Sequence, residues 1–246
     1  MTARTLLLAL ALPVLTATSV LAAPDAAAAG ELKGVVELFT SQGCSSCPPA
    51  DEELARLADQ DDVLALSYHV DYWNYLGWAD TLSSKANTQR QYGYAKTFNR
   101  NGVYTPQAVI NGQSHVNGAD GSAISNMVEK FSTEGAGLTV DVSAFMNADE
   151  LRISIGDGVG KADIIAVYFD DATTVEIDRG ENTGRTITYR HSVRDMETVG
   201  MWNGHKVNLK LPGSVISAHP GRRCAILLQE VSKDGYPGRI LGATEI

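Results

Sequence analysis

A C-x-x-C-P-P segment, Cys44 to Pro49, constrains this chain more than any other part of its sequence. It follows an apolar run, residues 34–40, and precedes an amphipathic stretch that begins at Ala50. Proline suits a first helical turn, so this order places both cysteines on a turn from a strand into a helix. Unpaired N–H groups and the helix dipole favour a thiolate there. The pair therefore predicts a redox-active dithiol, with a structural disulfide or a metal site as alternatives.

The first residues are typical of a secretory signal peptide. A basic start, an apolar run from Thr5 to Val20 and small residues up to Ala23 predict export. An N-terminal membrane anchor is the alternative, but the run is short for a span and Pro24 follows it. We predict a periplasmic or secreted protein with no membrane span in the mature chain. An oxidising compartment would let a disulfide persist.

The chain is acidic, with a formal net charge of −9 at pH 7. Removal of residues 1–23 would also remove Arg4, giving −10 (−9 minus one positive charge). No cluster of lysine and arginine opposes this balance, and the doublet Arg222-Arg223 is typical of a solvated strand end. The composition therefore predicts no nucleic-acid partner.

The first half of the chain alternates strands and helices. Residues 33–70 predict a strand, a helix and a second strand, joined by a right-handed crossover that makes the strands parallel. Residues 71–100 have helical propensity and predict an inserted helical region. Asn111-Gly112 lies between short apolar runs and predicts a β-hairpin. Residues 120–131 predict a closing helix.

The pattern changes after residue 137, where short β-like runs recur between turn residues up to residue 243. Such spacing is the signature of a β-sandwich or barrel. The sequence therefore predicts an α/β domain followed by an all-β, sandwich-like domain. The predicted order is a signal peptide, a linker, an α/β domain with a helical insert and a β-rich domain, at residues 1–23, 24–32, 33–135 and 136–246.

The order of elements in the α/β domain resembles the thioredoxin fold. In that fold a cis-proline precedes the third core strand and lies against the dithiol. Thr105-Pro106 stands in the matching place here, so the resemblance implies that Pro106 is cis. It would expose backbone groups beside the sulfurs for a bound peptide and keep metal out. An ordinary trans proline at the start of a strand is the alternative.

Four separated motifs resemble the secreted thioredoxin-like bacterial proteins grouped as domain of unknown function 1223. They read FTSQGCSSCPPAD at 39–51, HVDYWNYLGW at 69–78, RQY at 90–92 and YTPQ at 104–107, and RGEN at 179–182 matches too. The likeness covers essentially all of the chain after the signal peptide. Asn74 departs from the aspartate expected at its position. The resemblance implies a fold and an exported setting, and no particular substrate.

Polar and aromatic residues after the second strand are predicted to lie beside Cys44. His69 could transfer a proton to the leaving thiol or be a hydrogen-bonded structural histidine. Asp71 could take part in the same chemistry or cap the helical insert. Trp73 belongs to an aromatic cluster that would form either the core of the insert or a platform for an unfolded peptide.

Glu37 is a carboxylate within an otherwise apolar strand. It would lie either on a solvent face or under the dithiol, where a proton acceptor helps to deprotonate the second cysteine. Strand alternation permits both. Cys224, within an apolar run, is predicted to be a small buried hydrophobe. A disulfide with Cys44 or with another chain is the alternative.

A metal site would need Cys44 and Cys47 with one of His69, His115 or His191, since thiolates with an imidazole suit Cu(I) or Zn(II). No second C-x-x-C or compact H-x-x-H accompanies the pair. We therefore predict neither a bound metal nor a cofactor.

The sequence predicts an exported thiol:disulfide oxidoreductase-like protein that acts on a protein or small-molecule thiol or disulfide. Cys44 would be the exposed sulfur, Cys47 would resolve the mixed disulfide, and Pro106 would shape the substrate groove. The supporting residues would be Thr105, Glu37, His69, Asp71 and Trp73. The alternatives are an envelope binding or assembly module with an inert disulfide, and a copper or zinc carrier.

Overall fold

The computed structural model describes Met1 and residues 32–147, 149–214 and 218–246. The predicted signal peptide, apart from Met1, and the linker up to residue 31 lie outside the described residues. Within those ranges, no helix has the length and apolar character needed to cross a membrane.

The described residues form eleven β-strands and three α-helices. In the first half these are β1 (Gly34–Thr40), α1 (Pro48–Ala58), β2 (Val63–His69), α2 (Lys85–Thr97), β3 (Gln107–Ile110), β4 (Ser114–Asn117) and α3 (Gly121–Thr133). In the second half they are β5 (Val142–Met146), β6 (Glu150–Ile155), β7 (Ala162–Glu176), β8 (Thr186–Trp202), β9 (Val207–Pro212), β10 (Arg223–Val231) and β11 (Pro237–Glu245). A short 3-10 helix, Asn74–Leu76, lies between β2 and α2.

Local elements of the first half form as the sequence predicts. Strands β1 and β2 are parallel, in a register that runs from Gly34 opposite Val63 to Thr40 opposite His69. Strands β3 and β4 form the antiparallel hairpin. Asn111, between them, has a φ of +50° and Gly112 a φ of +64°. Two consecutive positive φ angles are what a tight Asn-Gly hairpin turn requires.

The predicted fold class is wrong. Strands from both halves of the chain join one mixed eight-stranded sheet, in the order β11-β10-β7-β8-β2-β1-β3-β4. The remaining strands form a three-stranded sheet in the order β5-β6-β9. The described residues are therefore mostly β, and they do not divide into an α/β thioredoxin-like domain and a separate all-β domain. The domain boundaries stay a prediction.

The cause of the error lies in which strands become neighbours. Strand β2 pairs with β1 on one side, and its other edge is covered by β8, with Ser67 opposite Ser192. Buried backbone groups at such an edge must find hydrogen-bond partners, and a second-half strand supplies them. Alternation within a strand shows which side chains are buried, but it does not identify the neighbouring strand.

Strands β7 and β8 form a long antiparallel hairpin that pairs as far as Glu176 and Thr186. Residues 177–185, here called the hairpin tip, close it through backbone hydrogen bonds of 2.7–2.9 Å between Ile177 and both Gly184 and Arg185. This hairpin brings the second half of the chain back to the cysteine pair.

Alternate side chains of β1 face two different hydrophobic cores. Val36 and Leu38 pack in the core with α1 and α3, whereas Phe39 packs on the other face of the sheet with residues of α2. The period of two then places Thr40 on the α1 face and Glu37 on the α2 face. This alternation decides which polar groups lie under the cysteines.

Candidate redox site

Cys44 and Cys47 form a disulfide at the N-terminus of α1, with Cα atoms 5.4 Å apart. Cys47 is the N-cap residue of α1, and two prolines follow it. The two cysteines are 1% and 0% exposed, whereas Ser45 and Ser46 between them are exposed. We call residues 41–47 the redox turn. Cys44 is therefore not the exposed sulfur that the sequence predicted, and its Sγ lies 3.4 Å from the Ser46 hydroxyl.

The hairpin tip is one of the parts that contact the redox turn. The buried Asn182 side chain donates through Nδ2 to the carbonyl oxygens of Gln42 and Cys44, both at 2.9 Å. Glu181 accepts a hydrogen bond from the N–H of Ser45 at 3.2 Å. Since both partners of Asn182 are acceptors, the amide nitrogen must face them. The residues matched as RGEN therefore contact the cysteine turn directly.

Two tryptophans pack beside the same turn. Trp73 donates to Thr105 Oγ1 at 2.8 Å, and a Cβ built on Gly43 would lie 3.2 Å from the Trp73 Cβ. Trp78 donates to Gln42 Oε1 at 2.8 Å. The aromatic cluster thus lies along the side of the redox turn, and Trp73 links this turn to the loop that precedes β3.

The Thr105-Pro106 peptide bond is cis, as the resemblance implied. Pro106 is buried and its carbonyl accepts the N–H of Gly118 at 3.1 Å. A Cβ built on Gly118 would lie 3.2 Å from the Cβ atoms of both Ala50 and Pro106. Because Ala50 is in the first turn of α1, Pro106 lies close to the helix end that carries the disulfide.

Asp51 is a buried carboxylate that the sequence analysis missed. It lies one helical turn after Cys47 and is only 4% exposed. Its Oδ1 accepts from the Thr40 hydroxyl at 2.7 Å, and its Oδ2 finds no hydrogen-bond partner in the described part of the chain. Burial raises the pKa of Asp51 to about 7, although His69 and the Thr40 hydroxyl act to lower it. The i, i+4 spacing from Cys47 was the signal for this residue.

His69 is fully buried at the end of β2, opposite Thr40 in the sheet. Its Nδ1 is 2.8 Å from Asp80 Oδ2, and its ring lies edge-on to Tyr189 with centroids 4.7 Å apart. Asp80 also accepts the N–H groups of Gln42 and Leu82, both at 2.8 Å. Burial alone would raise the pKa of Asp80, but His69 and these hydrogen bonds hold it below its ordinary value.

Glu37 and Asp71 have partners elsewhere. Glu37 is fully buried on the α2 face, where Arg90 Nε lies 2.7 Å from its Oε1 and the Tyr94 hydroxyl donates to its other oxygen. Asp71 accepts from the Thr88 hydroxyl at 2.6 Å. Glu37 thus belongs to an ion pair on the face opposite α1. Asp71 contacts Thr88 of α2, whereas the N-cap of that helix is Ser84.

The remaining candidates have separate environments. Cys224 is free and buried, and burial raises the pKa of its thiol to about 12. His115 lies 2.9 Å from the Tyr104 hydroxyl, and His191 Nδ1 lies 2.9 Å from the carbonyl of Ala65. Over the described ranges, the residues grouped closely enough to hold a metal ion are Asp195, Glu197 and His219.

Comparisons with known proteins place the chain in a family. No curated protein matches it. An Agrobacterium tumefaciens protein of known crystal structure is 51% identical, with a TM-score of 0.82 over 88% of this chain and 94% of that one. HBP35 of Porphyromonas gingivalis is 14% identical and shares the fold, with a TM-score of 0.57 over 88% of this chain and 75% of that one. The family profile of DUF1223, described as a protein of unknown function, matches residues 35–229. The chain therefore belongs to the DUF1223 family.

Proposed function

We propose that this protein is an exported thiol–disulfide oxidoreductase that works through the Cys44–Cys47 pair. The observation that carries the proposal is a disulfide at a helix N-terminus with a buried carboxylate, Asp51, one turn away. The helix end stabilises a thiolate at Cys44, and the carboxylate exchanges a proton near neutral pH. Thiol–disulfide exchange at such a pair needs no cofactor.

In the direction that oxidises the substrate and reduces the cysteine pair, a substrate thiolate attacks Cys44 Sγ and forms a mixed disulfide. The Cys44–Cys47 bond breaks, and its electron pair leaves on Cys47 Sγ, which takes a proton from Asp51. A second substrate thiolate then attacks the substrate sulfur of the mixed disulfide and releases Cys44 as a thiolate. The substrate leaves as a disulfide, and the cysteine pair is reduced. The reverse sequence reduces a substrate disulfide and reoxidises the cysteine pair, with Asp51 accepting the proton of Cys47.

Three neighbouring residues support this chemistry by position. Pro106 lies close to the first turn of α1, and Trp73 donates its indole N–H to Thr105, the residue before it. These residues form one wall of the proposed substrate groove. The buried His69–Asp80 pair, 2.8 Å apart, holds a polar environment next to Asp51 and acts as a positioning element.

Export is supported by the sequence of residues 1–23, which carries a basic start and an apolar run. It also agrees with a disulfide between Cys44 and Cys47, since thiols are kept reduced in the cytosol and disulfides persist outside it.

A turnover assay tests the function. The mature protein is mixed with glutathione and 2-hydroxyethyl disulfide, and formation of oxidised glutathione is followed. We expect Cys44→Ser to abolish the protein-dependent rate and Cys47→Ser to accumulate a mixed disulfide on Cys44 that mass spectrometry detects. Cys224→Ser is the matched control, since this buried thiol is remote from the mechanism, and it should keep the wild-type rate. Equal rates for wild type and Cys44→Ser would refute the proposal.

One observation favours a second candidate, a binding or assembly module with an inert disulfide. Both cysteine side chains are almost fully buried, and the hairpin tip contacts the turn between them. An inert disulfide would resist reduction by millimolar thiols, and a double Cys44→Ser, Cys47→Ser variant would then keep every partner that the wild-type protein binds.

A further inference from the structure

The hairpin tip contacts the main chain of the redox turn around Cys44, whose side chain is only 1% exposed. Asn182 bridges the carbonyl oxygens of Gln42 and Cys44, and Glu181 takes the N–H of Ser45. These contacts join segments about 140 residues apart, since Asn182 and Gln42 are separated by 140 positions. They bring side chains of the second half within hydrogen-bond distance of the main chain on both sides of Cys44.

Trp78 packs against the hairpin tip. A Cβ built on Gly180 would lie 3.3 Å from the Trp78 Cβ, so the two segments touch. Gly180 also has a φ of +82°, which glycine adopts without the strain of a side chain. Trp78 itself is fixed by its hydrogen bond to Gln42 Oε1. The tip, Trp78 and the redox turn therefore form one packed unit.

The geometry of a mixed disulfide sets what can fit beside this unit. Two cysteines joined by a disulfide have Cα atoms about 4.4–6.8 Å apart. A protein substrate must therefore bring its main chain about that close to the Cα of Cys44. Asn182 and Glu181 already occupy positions 2.9–3.2 Å from the main chain there. A small thiol carries no flanking main chain and meets no such conflict.

We infer that the hairpin tip selects the substrate, admitting low-molecular-weight thiols and disulfides to Cys44 and excluding cysteines within a polypeptide. This inference rests on the proposed thiol exchange and names the substrate class of the same site. The chemical step is the one proposed above: an incoming thiolate bonds to Cys44 Sγ as the bond between Cys44 and Cys47 breaks. Asn182 and Glu181 act as specificity-determining residues, and neither takes part in the bond exchange.

The test compares two reductants on the oxidised protein. Second-order rates are measured with 2-mercaptoethanol and with a 15-residue peptide that has one central cysteine. For Asn182→Ala we expect the peptide rate to rise about tenfold and the small-thiol rate to change less than about threefold, since a buried pair of hydrogen bonds is lost. Glu181→Ala should raise the ratio of the peptide rate to the small-thiol rate in the same way, but by a smaller factor. Arg179→Ala, an exposed neighbour in the same tip, is the control and should leave the ratio unchanged.

Using the ratio of the two rates removes differences in the intrinsic reactivity of the thiols. Glu181 is exposed, so its variant keeps the test available if Asn182→Ala does not fold. If both variants leave the ratio at the wild-type value while the protein still exchanges thiols, the selectivity inference is wrong and the oxidoreductase proposal stands. If wild type and variants alike resist both reductants, the proposed thiol exchange fails, and the selectivity inference fails with it.

Discussion

Asn182 donates a hydrogen bond to the carbonyl oxygen of Cys44 at 2.9 Å across 138 positions of the chain. The same amide nitrogen reaches the carbonyl of Gln42. The cysteine pair is thus built by two distant parts of the sequence, the turn after β1 and the hairpin between β7 and β8. The second half of the chain is a structural part of the candidate site, and substitutions there should change the properties of the disulfide.

The first prediction concerns the stability that Asn182 provides. Asn182→Asp removes both N–H donors and places a carboxylate against two carbonyl oxygens, so we expect a loss of roughly 2–4 kcal/mol in the free energy of unfolding. Urea unfolding of the oxidised protein at pH 7 measures it. Glu181→Gln, at an exposed position of the tip, should change stability by less than about 0.5 kcal/mol. Equal free energies of unfolding for Asn182→Asp and wild type would show that the hydrogen bonds of Asn182 to the redox turn do not stabilise the protein.

The second prediction concerns the pH dependence of stability at Asp51. The pKa of Asp51 rises from its ordinary value of 3.8 to about 7 in the folded protein. Between about pH 4 and pH 7 the folded state therefore keeps a proton on Asp51 that the unfolded state has lost. Stability from this group is therefore lost as pH rises from about 4 to 7. Asp51→Asn removes this loss of stability. We expect the free energy of unfolding of the variant to exceed that of wild type by a few kcal/mol at pH 8 and to match it near pH 4.

The charged and titratable groups around Asp51 set the control for this measurement. They are Glu52 on the same helix, His69 and Asp80 beside it, and Tyr189 on β8. Glu52 is exposed, so Glu52→Gln should leave the difference between pH 4 and pH 8 as in wild type. A stability curve of Asp51→Asn that parallels the wild-type curve would show that the carboxyl does not titrate in this range.

The third prediction isolates the proton step at Cys47. Reduced protein reacts with 5,5′-dithiobis(2-nitrobenzoate) in two phases: Cys44 releases one thionitrobenzoate, and Cys47 then displaces the second. With Asp51→Asn we expect the first phase unchanged and the second slowed at least about tenfold at pH 7, because the proton acceptor is gone. Stopped-flow absorbance separates the phases. An unchanged second phase would mean that another group takes the proton.

The fourth prediction is that Glu37 and its ion pair contribute to stability and not to thiol exchange. Arg90→Met leaves a fully buried carboxylate without its ion-pair partner, and such losses are about 3–5 kcal/mol. We expect that loss of stability by urea unfolding, with the two phases of the thionitrobenzoate reaction unaltered in the folded protein. A slowed second phase in Arg90→Met would instead connect the Glu37 network to Cys47.

The sequence patterns predicted the local structure around the cysteines well. The β1–α1–β2 unit, the Asn111-Gly112 hairpin and the helix start after Cys47 all depend on residues close together in the chain. Turn chemistry and proline placement act over a few residues, so they are visible without the fold.

Contacts between distant segments could not be predicted in the same way. Strand β8 lies beside β2, and Asn182 reaches Cys44, because of pairing that no local pattern encodes. Asp51 was missed for a related reason: an acidic residue in a first helical turn usually faces solvent, and its burial here depends on packing against the sheet. Glu37 was placed among the supporting residues because its strand alternation alone does not reveal α2 and Arg90.

The reduction potential of the Cys44–Cys47 couple shows whether this disulfide takes part in thiol exchange. The purified mature protein is equilibrated in glutathione buffers, and the fraction of reduced Cys44 is quantified by alkylation and mass spectrometry. For an exchanging pair we expect a potential between about −120 and −270 mV and rapid alkylation of Cys44 once reduced. A potential well below about −300 mV with an unreactive Cys44 would identify a structural disulfide and rule out the proposed thiol exchange.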